Sequence, residues 1–129
     1  MKIIVAGSRM GTTLEDVRQA MSQAPFTITE VVSGTAKGVD TFGEIVAKEL
    51  GLPVRQFPAN WKDLTATPCK IKENQYGKYN ALAGHNRNAE MAEYADALIA
   101  ICLKKVTPGS ANMISKMRSL RKEVFVFTV

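Results

Sequence analysis

The sequence predicts a doubly wound α/β domain with a five-stranded, mainly parallel sheet. Short β-branched and apolar runs alternate with segments whose apolar residues recur at helical spacing, a pattern typical of parallel strands joined by helices. The runs are continuously apolar, as in KIIVA at 2–6, which indicates strands buried on both faces. Because 129 residues can bury one core without further support, we expect residues 1–129 to form a single Rossmann-like domain.

The first half of the chain contains three predicted strands and two predicted helices. Leu14, Val17 and Met21 recur at helical spacing and mark the first helix. A second helical pattern is closed by Gly51 and Pro53, which are typical residues after a helix end. We expect strands at 2–6, 26–32 and 54–57, and helices at 12–24 and 39–50.

The second half begins with a long segment that has no periodicity. Residues 58–84 contain prolines, glycines, lysines and single aromatic residues, so we expect a long loop there. Loops of this length in a compact domain are binding loops, lids or disordered segments. After it, we expect strands at 97–102 and 124–128, and helices at 87–95 and 110–120.

The composition excludes several classes of protein. The chain is 46% hydrophobic and 22% charged, which is ordinary for a globular protein. Its longest apolar runs, such as 97–103, are too short to cross a bilayer, so we expect no membrane association. Cys69 and Cys102 are too few and too far apart for a disulfide framework or a zinc site. We therefore expect a cytoplasmic protein that holds no metal and no cofactor.

The net charge of +5 includes a basic stretch between residues 104 and 122 that contains no acidic residue. The stretch either forms a solvated helix face with cations near its C-terminal end or attracts nucleic acid. No aromatic residue is interleaved with it, and Trp61, Tyr76 and Tyr79 lie in the long loop, so we expect weak or non-specific nucleic-acid binding at most. Its members are Lys104, Lys105, Lys116, Arg118, Arg121 and Lys122.

Glycines and polar residues follow the predicted strands at their carboxyl ends. Ligands of open parallel sheets bind at this edge, near the point where the strand order reverses. A glycine between strand and helix either makes a tight turn or lets backbone N–H groups approach an anion at the helix start. Three such turns at one edge favour a phosphate-bearing ligand, although neither a Walker loop nor a GxGxxG fingerprint is present. The turns contain Gly7 and Ser8, Gly34 and Gly38, and Gly109 and Ser110.

Four kinds of side chain at the same edge are candidates for ligand contacts. Arg9 and Arg87 are either bidentate phosphate ligands or surface arginines. Asp40, beside the start of the second helix, either accepts a hydrogen bond from a ribose hydroxyl or only interacts with the helix terminus. Trp61 either stacks on a base or closes the loop over apolar surface. His85 is the single histidine, and no triad partner accompanies it.

Several motifs occur in a characteristic order along the whole chain. They are VAGSR at 5–9, SGTAKGVDTFGEIVAKELGL at 33–52, FPANW at 57–61, AGxxRNxxM at 83–91, Asp96 at a strand start and PGSANMI at 108–114. In this order they resemble the SLOG superfamily, specifically its YspA-like, cpYpsA-related branch of small stand-alone domains from bacteria and their phages. The wider superfamily includes the Lonely Guy phosphoribohydrolases, the core of the DNA-processing protein A family, and sensor domains for NAD-derived or ADP-ribose-like signals.

The resemblance implies a nucleotide or nucleotide-derived ligand of the ADP-ribose, NAD or nucleoside-phosphate class. It implies a sensor or a sequestering protein that forms a homo-oligomer, and a phage-encoded member would sequester a host nucleotide signal. The motif positions of the family fall on Gly7, Ser8, Arg9, Gly34, Lys37, Gly38, Asp40, Arg87, Asn88, Gly109 and Ser110.

The resemblance also offers an enzymatic alternative, cleavage of the N-glycosidic bond of a nucleoside monophosphate. Lonely Guy enzymes carry a PGGxGTxxE segment whose Glu serves this reaction, and alignment of its Gly-Thr with Gly109 and Ser110 places Met113 at the Glu position. Methionine is neither an acid nor a base, so a binding protein is the preferred prediction. The remaining candidate catalytic residues are Asp40, Glu44 and Glu90.

Overall fold

A computed structural model describes residues 1–65, 69–104 and 106–129 of the chain. Strands and helices alternate through these residues, with one antiparallel hairpin inserted before the third helix. The elements are β1 (Lys2–Gly7), α1 (Leu14–Gln23), β2 (Glu30–Ser33), α2 (Val39–Glu49), β3 (Val54–Gln56), β4 (Ile71–Asn74), β5 (Gly77–Asn80), α3 (Ala83–Tyr94), β6 (Ala97–Cys102), α4 (Pro108–Ser119) and β7 (Glu123–Thr128).

The main sheet has the strand order β3-β2-β1-β6-β7, and all of its neighbouring strands are parallel. From β1 the chain proceeds outwards to β3, and then returns to add β6 and β7 on the other side of β1. The strand order therefore reverses between β1 and β6, which is where open parallel sheets bind ligands. The predicted α/β fold with a five-stranded parallel sheet is confirmed.

The core consists of two apolar layers on opposite faces of the sheet. In β1, Ile3 and Val5 pack in the layer that includes α1 and α2, whereas Ile4 packs in the layer that includes α3 and α4. All six residues of β6 are buried, as expected for a central strand covered on both faces. Burial of each such aliphatic side chain contributes about 1.5–3 kcal/mol, so the apolar runs dictate the layered arrangement.

Side-chain caps fix the starts of two helices. Thr13 caps α1 by accepting from the backbone N–H of Asp16 at 3.2 Å, and the carboxylate of Asp16 accepts from the backbone N–H of Thr13 at 2.9 Å. This capping box satisfies two N–H groups that a helix start leaves without partners. Thr107 caps α4, and Pro108 occupies the first helical position, where its missing N–H has no consequence.

The structure differs from the predicted elements at three places. β2 begins at Glu30 instead of residue 26, and α3 begins at Ala83 instead of residue 87. The predicted loop at 58–84 contains the antiparallel hairpin β4–β5, whose turn has Gly77 at a φ of +111°. Residues 66–68 of that segment, and Lys105 of the basic stretch, lie outside the described residues.

Two further findings apply to the described ranges 1–65, 69–104 and 106–129. Every helix in them lacks either the length or the apolar character needed to cross a membrane. They also contain no group of three or more His, Cys, Asp or Glu side chains arranged to hold a metal ion. Cys102 is buried at the end of β6, Cys69 is half-buried, and both are free thiols.

Candidate functional site

A cleft of about 360 Å³ lies at the carboxyl ends of β1 and β2 and at the N-terminal end of α4. The residues that line it come from four parts of the chain, which the parallel sheet brings to one edge. Nine of the twelve residues predicted to bind a ligand are among them: Gly7, Ser8, Arg9, Gly34, Asp40, Arg87, Asn88, Gly109 and Ser110.

Arg87 reaches from α3 across the cleft to the loop after β2. Its Nη1 donates a hydrogen bond to the carbonyl oxygen of Gly34, and its Nε donates to Oδ1 of Asn88 at 3.0 Å. Asn88 is held in turn, because its Nδ2 donates to Oδ1 of Asn112 in α4 at 3.0 Å. Burial lowers the pKa of Arg87, with Asp40 opposing and Arg9 reinforcing the change. A guanidinium nevertheless stays protonated in proteins, so Arg87 is a fixed positive charge in the cleft.

Asp40 is the carboxylate that lies beside the two arginines. Only 7% of the residue is exposed, and its Oδ2 accepts the backbone N–H of Ala36 at 3.2 Å. Burial raises the pKa of Asp40 to about 6, although the hydrogen bond from Ala36 and the charges of Arg87 and Arg9 act in the opposite direction. One carboxylate and two guanidinium groups leave this part of the cleft with a net positive charge, which favours anions.

Two glycines allow the backbone to approach other groups closely. A Cβ at Gly34 would lie 2.8 Å from both Nη1 of Arg87 and Oδ2 of Asp40. Gly38 has a φ of +79°, and a Cβ there would lie 2.6 Å from the carbonyl oxygens of Ser8 and Arg9. Gly34 is therefore required by the charged side chains of the cleft, whereas Gly38 is required by the packing of the first turn on the start of α2.

Some backbone N–H groups of the glycine turns, which are predicted to contact an anion, donate hydrogen bonds to other groups of the chain. After β2, the N–H of Thr35 donates to Oγ of Ser33 at 3.1 Å, and that of Ala36 donates to Asp40. After β1, the N–H of Ser8 donates to the carbonyl oxygen of Ile101 at 3.1 Å. At the start of α4, the N–H of Ser110 donates to Oγ1 of Thr107 at 3.4 Å, and there is open space at the position of a Cβ on Gly109, which lines the cleft.

Several predicted site residues do not line the cleft. Lys37 is exposed and Gly38 packs against the turn at Ser8 and Arg9, and neither belongs to the lining. Trp61 lines a different cleft, beside the β4–β5 hairpin. Glu44 accepts hydrogen bonds from Ser33 and Gln56 at 2.7 Å each. Of the three candidate catalytic carboxylates, Asp40 lines the cleft, whereas Glu44 does not, and Glu90 lines a smaller neighbouring cavity of about 220 Å³.

Sequence reasoning did not predict the apolar part of the lining. Met10, Met91 and Met113 all contribute to the cleft. Helical spacing marks Met91 and Met113 as core residues, and nothing in the sequence distinguishes a core methionine from one that borders a cleft. Methionine adapts to flat or irregular groups, so this part of the lining is suited to an apolar ring.

One residue of the basic stretch has a structural role. Nζ of Lys122 donates hydrogen bonds to the carbonyl oxygens of Ala92, Glu93 and Ala95, at 2.7, 2.9 and 2.7 Å. These carbonyl groups lie at the C-terminal end of α3, where a positive charge is favourable. Arg118 and Arg121 are exposed on or after α4.

No protein-family model and no curated protein matches the chain. Among solved structures, the chain is similar to the X-ray structure of DNA processing protein A (DprA) from Streptococcus pneumoniae, with a TM-score of 0.70 and 20% sequence identity. The match covers 97% of this chain and 49% of that chain, so this chain spans about half the length of the matched protein. The likeness shows that the two share the α/β fold over nearly all of this chain.

Proposed function

We propose that this chain is a SLOG domain of the YspA-like branch and that it binds a nucleotide or nucleotide-derived molecule in the cleft at the carboxyl edge. The main support is the arrangement around Gly34, where Arg87, Arg9 and the buried Asp40 border a cleft of about 360 Å³. A volume of this size suits a small molecule, and charged groups with apolar neighbours are typical of ligand sites. The ligand class is ADP-ribose, NAD or a nucleoside phosphate.

Each part of such a ligand has a suitable counterpart in the cleft. Phosphate oxygens bind Arg9, Arg87 and the backbone at Gly109, where the helix start adds a favourable dipole. Asp40 accepts a hydrogen bond from a ribose hydroxyl. The methionines, among them Met113, contact the base. The protein thereby senses or sequesters its ligand.

A nucleic-acid-related role is the second candidate for the same cleft. The matched structure is that of a DNA processing protein, of which this chain spans about half the length. The nucleotide at the end of a strand carries the same phosphate, ribose and base as a small nucleotide ligand, so the same side chains are suited to both. Comparison of free nucleotides with oligonucleotides, for the wild type and for Arg87→Ala, separates the two candidates, because binding in this cleft is expected to be lost in Arg87→Ala.

Ligand-induced thermal stabilisation tests the proposal directly. The Tm is measured for three proteins, the wild type, Arg87→Ala and the control Arg118→Ala, with ADP-ribose, NAD and a panel of nucleoside phosphates. Each shift in Tm is calculated relative to the same protein without ligand. A ligand at a hundredfold excess over its Kd stabilises the native state by about 2.7 kcal/mol, which is several degrees for a chain of this length. We expect one ligand class to stabilise the wild type and Arg118→Ala but not Arg87→Ala. Stabilisation by none of them, or equal stabilisation of Arg87→Ala, contradicts the proposal.

The geometry favours binding over N-glycosidic cleavage. Met113, which the motif alignment assigns to the position of the Lonely Guy Glu, lines the cleft and is neither an acid nor a base, and Glu44 is engaged by Ser33 and Gln56 outside the lining. We expect no release of free base when nucleoside monophosphates are incubated with the protein and separated by chromatography. Release of base that is lost in Asp40→Asn or Glu44→Gln would establish the enzymatic alternative. Light scattering tests the further expectation of a homo-oligomer.

A further inference from the structure

A second cleft, of about 400 Å³, lies between residues 61–62 and the turn end of the β4–β5 hairpin. Its lining combines three aromatic rings with two ammonium groups, contributed by Trp61, Tyr76, Tyr79, Lys62 and Lys78. The aromatic residues of the long segment, which are absent from the basic stretch at 104–122, thus lie beside two other lysines, Lys62 and Lys78. We call this feature the hairpin cleft.

The aromatic residues of the hairpin cleft are exposed to an unusual degree. Tyr76 is 88% exposed and Trp61 is 43% exposed. The turn holds Tyr76 in this position, because its backbone N–H donates to Oδ1 of Asn74 at 2.9 Å and Gly77 supplies a positive φ. Exposed aromatic side chains that are grouped together mark an interaction surface.

The charge around the hairpin cleft is predominantly positive. Residues 61–65 and 69–80 contain four lysines, Lys62, Lys70, Lys72 and Lys78, against two acidic residues, Asp63 and Glu73. In the register of the hairpin, Glu73 lies opposite Lys78, whereas Lys72 lies opposite Tyr79. Lysine side chains beside an aromatic platform are suited to a polyanion whose flat groups are available for stacking. In a duplex the base faces are stacked on one another, whereas in a single strand they are accessible.

We propose that the hairpin cleft binds single-stranded nucleic acid. A base stacks on the ring of Trp61 or Tyr76, and backbone phosphates contact Lys62 and Lys78. This site is separate from the cleft at the carboxyl edge, and the inference does not depend on the function proposed for that cleft.

The hairpin cleft is fixed to the rest of the domain close to Arg87. The backbone N–H of Asn80 donates to the carbonyl oxygen of Trp61 at 2.6 Å, which ties the hairpin to the segment after β3. A Cβ at Gly84 would lie 3.4 Å from Cη2 of Trp61 and 3.8 Å from Nη2 of Arg87. Both groups lie beside Gly84, so a strand in the hairpin cleft runs close to the other cleft.

Fluorescence provides a local signal, because Trp61 is the only tryptophan in the chain. An unlabelled oligothymidylate of about 12 nucleotides, within the usual site size of single-strand binders, is titrated into the protein at several salt concentrations. The anisotropy of a labelled copy of the oligonucleotide provides a second readout. We expect saturable quenching and an affinity that falls with salt, with a logarithmic slope of about 0.7 for each phosphate contact.

Two variants and two controls assign the binding to the hairpin cleft. Tyr76→Ala is expected to weaken binding roughly 5- to 150-fold, the equivalent of about 1–3 kcal/mol for a stacked base. Lys78→Ala is expected to reduce the salt slope by about 0.7. Lys48→Ala, an exposed lysine on α2, is expected to bind like the wild type. The second control is nucleotide-induced stabilisation, which Tyr76→Ala is expected to keep and Arg87→Ala to lose, so failure of either proposal is visible separately.

Four outcomes would overturn the inference. They are no change in fluorescence or anisotropy, equal affinity for a duplex of the same length, equal affinity for a free mononucleotide, and binding that Tyr76→Ala and Lys78→Ala both leave intact. Binding that is lost in Arg87→Ala and retained in Tyr76→Ala would place the strand in the cleft at the carboxyl edge instead. Circular dichroism of each variant verifies that it is folded.

Discussion

Arg87 donates a hydrogen bond from its guanidinium to the carbonyl oxygen of Gly34, a residue 53 positions earlier in the chain. The contact joins α3 to the loop after β2, so it connects the two layers of helices at the carboxyl edge of the sheet. It also orients the guanidinium beside Asp40. A Cβ on Gly34 would lie 2.8 Å from Oδ2 of Asp40 and 2.8 Å from Nη1 of Arg87. The charged part of the cleft therefore depends on the absence of a side chain at position 34.

Gly34→Ala is expected to abolish ligand binding at a small loss of stability. The added methyl group would lie 2.8 Å from Nη1 of Arg87 and Oδ2 of Asp40, and both are ends of side chains that can rotate away. We expect the free energy of unfolding to fall by about 1 kcal/mol, the lower end for an overpacked site. Gly109→Ala meets no atom within 4 Å and should be at least as stable as the wild type in urea unfolding. Unchanged nucleotide-induced stabilisation of Gly34→Ala would contradict this role of Gly34.

The raised pKa of Asp40 predicts that its contribution to stability decreases between about pH 4 and pH 6. The pKa of Asp40 is about 6 in the folded state and has its ordinary value of 3.8 in the unfolded state. The folded state therefore binds more protons than the unfolded state between these two pH values. Ionisation of the buried carboxyl then destabilises the native state by roughly 3 kcal/mol. Asp40→Asn retains an oxygen acceptor for Ala36 and cannot titrate. We expect the unfolding free energy of Asp40→Asn to rise relative to that of the wild type from pH 4 to pH 7. If the two proteins show the same dependence of unfolding free energy on pH, the pKa of Asp40 is not raised.

The sequence predicts the fold well because a strand that is buried on both faces consists of a continuous run of apolar residues. Five apolar runs correspond to the five strands of the main sheet, and the helical spacing of Leu14, Val17 and Met21 corresponds to α1. The β4–β5 hairpin has no such apolar run, since β4 is exposed, β5 is only partly buried, and both carry lysines and other polar residues. Its one sequence signal is local: Asn74 and Gly77 stand three positions apart, as at the two ends of a turn.

The candidate site is predictable only to the level of the sheet edge. The rule that ligands bind at the carboxyl ends of parallel strands brings Arg9, Asp40 and Arg87 together correctly. The same rule fails for Trp61, because the chain position of a loop residue does not determine which cleft its side chain lines. Contacts such as that between Arg87 and Gly34 depend on how two distant segments pack, and periodicity contains no information about them. Their roles in binding remain predictions.

Gly38→Ala is expected to be much more destabilising than Gly51→Ala, although both glycines have a positive φ of +79° and +71°. A Cβ at Gly51 meets no atom within 4 Å, so alanine there adds only backbone strain of about 1–2 kcal/mol. A Cβ at Gly38 would lie 2.6 Å from two backbone carbonyl oxygens, which cannot rotate away. We expect Gly38→Ala to lose at least about 2 kcal/mol more than Gly51→Ala in urea unfolding. Equal losses would show that the turn at Ser8 and Arg9 shifts without cost.

Lys122→Met is expected to destabilise the fold, in contrast to removal of another lysine of the basic stretch. The ammonium group of Lys122 donates to three carbonyl oxygens at the end of α3, and methionine keeps the apolar stem but provides no donor. Hydrogen bonds from a charged donor contribute about 1.5–3 kcal/mol, and we expect a loss of that size in the free energy of unfolding. Lys104→Met, at an exposed lysine before α4, should change it by no more than about 0.5 kcal/mol. If the two variants unfold at the same urea concentration, the charge of Lys122 is not needed at the helix end and is free for an anionic partner.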